Sequence, residues 1–328
     1  MPDISAKVIA HSHNGRGNEI ITFELEYPRI IHSELMTHRL FSRNAASSRA
    51  IPVKTLIEMV RNEPAMPYRF GANQPGMQDK GVEHDGIVGA GYTGREWWKL
   101  AALSAARFAE ELAEAGYHKQ IANRLLEPFQ RMKTVLTATE YENFWWLRVD
   151  ADADPTIEAL AIAMHKEYEA SEPELLQPGQ WHTPYVYHST DIKGNFAGYY
   201  ILDENGEWPV DLTLEEAKSI SASCCAQVSY RRLNSTKDKA LDIYGRLLTG
   251  RKVHASPFEH QSTPMVENGE YYKRNPEGDL CIYRVNNPTD AQTWEKGITH
   301  VDREGNFWSG NFKGFVQHRQ LLDNHTKW

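Results

Sequence analysis

The chain has 328 residues, of which 41% are hydrophobic and 24% charged, enough to bury one large core or two modest ones. Asp and Glu outnumber Lys and Arg by 44 to 36, and the formal net charge of −8 argues against a protein that wraps long nucleic acid. No run of about eighteen apolar residues occurs, and Met1-Pro2-Asp3-Ile4-Ser5 shows no charged and then apolar leader, so a cytoplasmic protein without membrane attachment is expected.

Glu19 to Tyr27 alternates apolar and polar side chains, which predicts a half-buried strand. Pro28 then opens an apolar-periodic run, Ile30, Ile31 and Leu35, that reads as a helix. Thr37 to Arg49 follows, basic and rich in short polar side chains, with no Asp or Glu between Glu34 and Glu58. Ile51-Pro52 breaks the chain and Val53 to Val60 restarts a helical pattern, so the basic segment is expected as a polar turn between two packed helices. Residues 63 to 94 carry many Gly and Pro without periodicity and predict a long loop or lid. Helices are expected from Arg95 to Ala115 and from Tyr117 to Leu126. Another begins at Asp154, a cap followed by Pro155, with Ile157, Leu160, Ala161, Met164 and Tyr168 on one face.

Residues 177 to 211 read as a loop containing a hairpin, Phe196 to Leu202 turning at Glu204-Asn205-Gly206, and mark the expected joint between two halves, 1–185 and 186–328. Thr213-Leu214-Glu215-Glu216 is a capping box that starts a helix through Ile220 to Val228. A further helix is expected from Thr236 to Leu248, and residues 264 to 310 read as short strands and turns. Cys224 and Cys225 are adjacent and Cys281 is distant, which gives neither a disulfide framework nor zinc spacing. The fourteen histidines show no His-Glu-x-x-His or similar ligand spacing, so no metal site is expected.

The basic segment is the chemically loaded one. Arg39, Arg43 and Arg49 each offer a planar fork of donors suited to phosphate, and Ser42, Asn44, Ser47 and Ser48 offer short hydrogen bonds. A positive locus inside a negative molecule suits a phosphate-bearing small molecule, and a solvated basic turn is the equal alternative on composition alone.

Spacing adds to this. His38, Arg39, Ser42, Asn44, Ser47 and Arg49 fall in register with a signature of Arg-His-Arg, two residues, Ser, one residue, Asn, two residues, Ser, one residue, Arg. In that respect the chain resembles the flavin-dependent thymidylate synthases, with Thr37 standing where the first signature arginine belongs. Ala122 to Pro128, containing Arg124, and Asn143-Phe144-Trp145-Trp146-Leu147-Arg148 resemble two further segments of that family. His254-Ala255-Ser256-Pro257-Phe258-Glu259-His260 is similar to the family's His-x-Thr-Pro-Phe-Glu-His, and Cys225 to Tyr230, containing Ser229, is similar to its Ala-Ala-Arg-Val-Ser-Phe. These last two precede the signature in the family and follow it here, which points to circular permutation or partial duplication. Asn311 to Arg319 looks like a second copy of the helix ending in His-Arg, expected to be a structural echo.

The resemblance implies an α+β fold of helices and antiparallel sheet, rearranged, whose halves form one intertwined catalytic unit. It implies C5 methylation of a deoxypyrimidine monophosphate, foremost dUMP to dTMP, with FAD as cofactor and methylenetetrahydrofolate and NADPH as co-substrates. Ser47, Arg49 and Arg148 would carry catalysis, and with Ser48 and Arg124 would hold the nucleotide. His38, Arg39, Ser42, Asn44, Asn143, Ser229, His254, Ser256, Glu259 and His260 would line the flavin. A homo-oligomer, tetramer or dimer, is implied as well, and no cysteine nucleophile. Two alternatives stand beside this: methyl or hydroxymethyl transfer to another pyrimidine nucleotide such as dCMP, and a non-catalytic nucleotide- or flavin-binding protein.

Overall fold

A computed structural model describes residues 4–79, 81–230, 236–249, 253–274, 276–323 and 325–326. The first half supplies, in order, β1 (Ser5–His13), β2 (Glu19–Pro28), α1 (His32–Leu35), β3 (Ser42–Ala45), α2 (Val53–Asn62), α3 (Gly94–Glu114), α4 (Lys119–Ala122), β4 (Arg131–Ala138), α5 (Glu142–Arg148), α6 (Pro155–Ala170) and β5 (Glu174–Leu175). The five strands form one sheet in the order β3-β4-β2-β1-β5. All neighbours run antiparallel except β1 and β5. The architecture is α+β.

Alternation along β2 explains what covers each face of this sheet. Ile21, Phe23, Leu25 and Tyr27 join Ile157, Leu160, Ala161 and Met164 of α6 in one core. Asp154 caps α6 by accepting from the backbone of Thr156 and Ile157, with Pro155 at the first turn. The intervening residues Ile20, Thr22 and Glu24 face the opposite side. There Ile20 packs on Phe312 and Phe315, and on β4 Val135 packs on Cys225 and Val228. The strand expected as half-buried is therefore covered on both faces, because the second half of the chain supplies the other cover.

That second half contains β6 (Tyr187–Thr190), β7 (Phe196–Leu202), β8 (Pro209–Leu212), α7 (Leu214–Gln227), α8 (Lys237–Thr249), β9 (Ser262–Pro264), β10 (Gly269–Arg274), β11 (Leu280–Val285), β12 (His300–Val301), β13 (Phe307–Ser309), β14 (Phe312–Lys313) and β15 (Phe315–Gln317). The expected hairpin is the β7–β8 pair, with Gly206 at φ +75° in its turn. Both arms of the capping box at Thr213 and Glu216 are formed.

Two expectations are corrected. Residues 42–45 are a strand, not part of a turn: they pair with Thr134 to Thr137 of β4, a strand whose partner role the local sequence does not announce. Residues 311–317 are not a helix. Gly310 and Gly314, at φ +61° and +71°, divide them into β14 and β15, and only His318–Leu321 forms a helical turn. The loop over 63–94 contains the 3-10 turn Gly89–Gly91 and isolated bridges from Gly71 to Glu83 and from Ile87 to Thr93, and is pinned where the Trp98 indole donates to the Ala65 carbonyl and the Tyr68 amide to Thr156.

Candidate active site

The pleat of β3 sorts the signature. Ser42 and Asn44 lie opposite Thr137 and Val135, so they face the second half of the chain, while Arg43 faces the helical side. Arg43 donates there to the carbonyls of Leu35 and His38 at 3.1 and 3.0 Å, closing the turn that carries His38 and Arg39.

His38 is held edge-on against Phe144 and stacked with Phe41. Burial, then the cations of Arg148 and Arg43, lower its pKa to about 4, so the ring is neutral near pH 7. Its Nε2 accepts from Nε of Arg148 at 3.1 Å, and Nη1 of Arg148 reaches Glu34 at 3.2 Å. Thr37, His38, Arg39, Phe144 and Asn143 line a cleft of about 170 Å³. Arg39 and Asn143 are exposed at this cleft. Neither side chain makes a hydrogen bond or ion pair among the described residues.

A second group gathers beyond β3. The Ser47 amide donates to the Ser229 carbonyl at 3.1 Å, and its hydroxyl accepts from the Arg49 amide. Ser48 is buried and donates to Glu127 at 2.8 Å. Arg124 is exposed and reaches the same carboxylate at 3.3 Å, as does Arg29 at 3.2 Å. Asn123, fully buried, donates to the carbonyls of Ser48 and Ile51 and fixes the turn that presents Arg49. The Arg49 guanidinium is exposed and unengaged among the described residues.

The remaining expected contacts divide. Asn44 donates to the Cys225 carbonyl at 3.3 Å, Glu259 pairs with Arg319, and His260 is fully buried with Nδ1 2.8 Å from the Thr137 hydroxyl. Burial lowers the His260 pKa to about 3. His254 and Ser256 are exposed, and His254 opens on a different cleft, of about 540 Å³, with Ala226, Gln227, Lys239 and Leu247. Sequence reasoning missed Glu34, Asn123, Thr137 and Glu127. Asn123 and Glu127 lie in the Ala122 to Pro128 segment, where the resemblance gives a role only to Arg124. Cys224 and Cys225 are buried in α7, where burial raises the Cys224 thiol to about 12.

The donor set fits an anionic, hydrogen-bonding ligand such as a nucleotide or a flavin diphosphate. Exposed guanidiniums at Arg39, Arg49 and Arg124 and the Asn143 amide supply the donors. Among the described residues no group of three or more His, Cys, Asp or Glu could hold a metal ion, and no helix is long and apolar enough to cross a membrane.

Two solved structures with partial likeness are those of the UMP/dUMP methylase PolB from Streptomyces cacaoi. The one bound with 5-Br UMP is 17% identical with a TM-score of 0.40, covering 52% of this chain and 90% of that chain. The one bound with 5-Br dUMP is 15% identical with a TM-score of 0.40, covering 52% and 91%. No curated protein sequence matches the chain. The family model for thymidylate synthase complementing protein matches residues 7–174, just over half of the chain and all of the signature, and the chain belongs to that family of methyltransferase-type enzymes.

Proposed function

We propose that the protein methylates a deoxypyrimidine monophosphate at C5, converting dUMP to dTMP, with FAD, NADPH and methylenetetrahydrofolate. The observation that carries this reading is the pair of guanidiniums, Arg39 and Arg49, exposed and unengaged among the described residues, on either side of a strand whose other polar side chains are spent inside the protein. Membership of the family supports the reaction class.

When bound and reduced by NADPH, FAD supplies the hydride that completes the methyl group delivered by the folate. Arg49 and Arg124 hold the nucleotide phosphate, with Ser47 and Ser48 shaping the turn beneath it. Arg148 keeps its Nε against neutral His38 and one Nη against Glu34, which leaves its other N–H groups to meet the pyrimidine carbonyls as negative charge develops there. Arg39 and Asn143 meet the flavin at the cleft beside His38. Ser229 and Glu259 act as supports of that geometry, and His254 and Ser256 as outer contacts. The two halves form one catalytic unit, and the protein works as a homo-oligomer, a reading supported by exposed Trp97, Leu100, Leu103 and Phe108 on α3.

The test is tritium release from C5 of labelled dUMP with all three small molecules present. Release dependent on flavin and folate is expected, with kcat/KM reduced roughly 30- to 100-fold in Arg49→Ala, the effect of one charged hydrogen-bonding contact. Flavin binding without release overturns dUMP as substrate, and dCMP is then assayed. Absence of both flavin binding and release overturns the catalytic reading.

A further inference from the structure

Ser42 is matched to the signature, yet its side chain is turned away from ligand. It is 1% exposed, and its hydroxyl lies between two amides from the end of the chain. Asn311 Oδ1 is 3.2 Å and Asn311 Nδ2 3.0 Å from Ser42 Oγ, and Gln317 Nε2 is 3.3 Å from it. Asn311 Nδ2 also donates to the Leu40 carbonyl at 2.8 Å. Gln317 Nε2 donates to Asn311 Oδ1 at 2.9 Å and reaches the Glu259 carbonyl at 3.3 Å.

We propose that Asn311 and Gln317 are positioning residues for the ligand site: their paired amides fix Leu40 to Ser42 against Ser256–Glu259, and so set how Arg39 is presented. The inference rests on the reading of the His38 to Arg49 segment as a ligand-binding signature. Gln317 is held in place from its own backbone, whose amide donates to Ser309 at 3.0 Å, and the strand pairing sets it opposite Ser262. The tight turn before it needs Gly310, since a Cβ there would lie 2.9 Å from Gln317 Oε1. An amide pair with Gln317 buried, Asn311 half-buried and its partners satisfied favours one register of the two segments. An apolar pair would pack as well and would leave the Ser42 hydroxyl and the Glu259 carbonyl without partners.

Asn311, Gln317 and Ser42 touch no ligand on this account, so their effect passes through the turn that carries Arg39. The decisive variants are Gln317→Leu, Gln317→Glu, Ser42→Ala and the double variant Ser42→Ala/Gln317→Leu. Gln317→Glu keeps the size and removes the donor, and serves if Gln317→Leu fails to fold. FAD affinity is expected to fall about tenfold in each single variant, the scale of one net hydrogen bond lost from a buried group. KM for dUMP at saturating FAD should stay within about twofold, and the double variant should be no worse than the weaker single.

Hydrogen exchange of the full-length protein is measured alongside, and faster exchange confined to residues 38–45 is the expected result. Unchanged FAD affinity, equal loss of FAD and dUMP affinity, or multiplicative singles overturn the proposal. If the unaltered protein neither binds FAD nor turns over dUMP, the functional reading fails by itself. The exchange result then decides whether the amide pair holds the signature turn, and unchanged exchange at 38–45 overturns the proposal.

Discussion

Thr137→Val tests the contact on which the two halves depend most. Thr137 is fully buried on the sheet face that meets the second half, with its hydroxyl 2.7 Å from Thr22 and 2.8 Å from Nδ1 of His260. Thr22 lies 2.8 Å from Nε2 of His182, whose Nδ1 lies 2.9 Å from Ser12. Burial lowers the pKa of both histidines, so both are neutral, and neutral rings let the chain run in one direction. In one pair of tautomers His260 donates to Thr137, Thr137 to Thr22, Thr22 to His182 and His182 to Ser12, and the opposite pair reverses every bond. Valine keeps the shape and removes one acceptor and one donor from the middle. Among the described residues His260 already has no partner at Nε2, so the variant strips the ring of its one hydrogen bond there. The His260 ring is left unpaired, at roughly 1–3 kcal/mol, while Thr22 keeps its bond to His182 and the added methyl offsets part of the cost, so the expected loss is about 1–3 kcal/mol. For a chain of this size that is a melting shift of about 2–4 °C. Urea unfolding followed by tryptophan fluorescence and far-UV circular dichroism measures it, with an unchanged slope expected. A loss below about 0.5 kcal/mol would refute the claim that this chain of hydrogen bonds joins the halves.

Other outcomes follow from single features. His32 and His38 are lowered to about 4 and His260 and His318 to about 3. The folded state thus binds these protons less readily than the unfolded state, so stability is full above about pH 6.5 and lost as pH falls toward 4 and below. A urea midpoint flat between pH 7 and pH 5 contradicts this. Gly314→Ala should cost about 1–3 kcal/mol, because at φ +71° its Cβ would meet the Asn18 amide oxygen at 2.4 Å; a melting temperature equal to that of the unaltered protein counts against it. Thr213→Ala removes one arm of a formed capping box and should cost about 1 kcal/mol with activity retained, read by the same unfolding assay. Only Cys281 should react promptly with a thiol reagent at pH 8, Cys224 and Cys225 following on denaturation; three fast thiols would place the buried pair in doubt.

Much of the secondary structure was legible because local chemistry dictates it: the Asp154-Pro155 start of α6, the Thr213 capping box and the Gly206 turn each rest on residues within four positions. The strand at 42–45 was illegible for the opposite reason. Ser42, Arg43 and Asn44 have no strand preference of their own, and what fixes them is the ladder to β4, nearly a hundred residues away. The same holds for the site. Spacing picked out Arg39 and Arg49, which stand exposed, but assigned Ser42, Asn44 and His260 the same ligand-facing role. Only the pleat of β3 and the burial of His260 separate Ser42, Asn44 and His260, buried where the halves meet, from the exposed arginines. Residues 311–319 misled because His318-Arg319 repeats a dipeptide of the signature, whereas the backbone before it is set by two glycines at positive φ.

The rearranged motif order looks costly on paper, since segments that cooperate are far apart in the chain. Asn44 and Cys225 are 181 positions apart, and Thr137 and His260 are 123 apart. Closure entropy, however, grows only with the logarithm of the separation, so closing such a span in place of one of about twenty residues costs about 2 kcal/mol. Inter-half hydrogen bonds such as Asn44 to Cys225, Ser47 to Ser229, Thr137 to His260 and the two between His182 and Ser262 offset that at about 1 kcal/mol each. The packing of Ile20 and Val135 on the second half adds apolar burial beyond them. Chain order is therefore weakly constrained by thermodynamics, while the side chains that meet at the sheet are tightly constrained. The parts of the signature facing the second half, Ser42 and Asn44, are buried where the two halves meet, while Arg39 and Arg49 stay exposed.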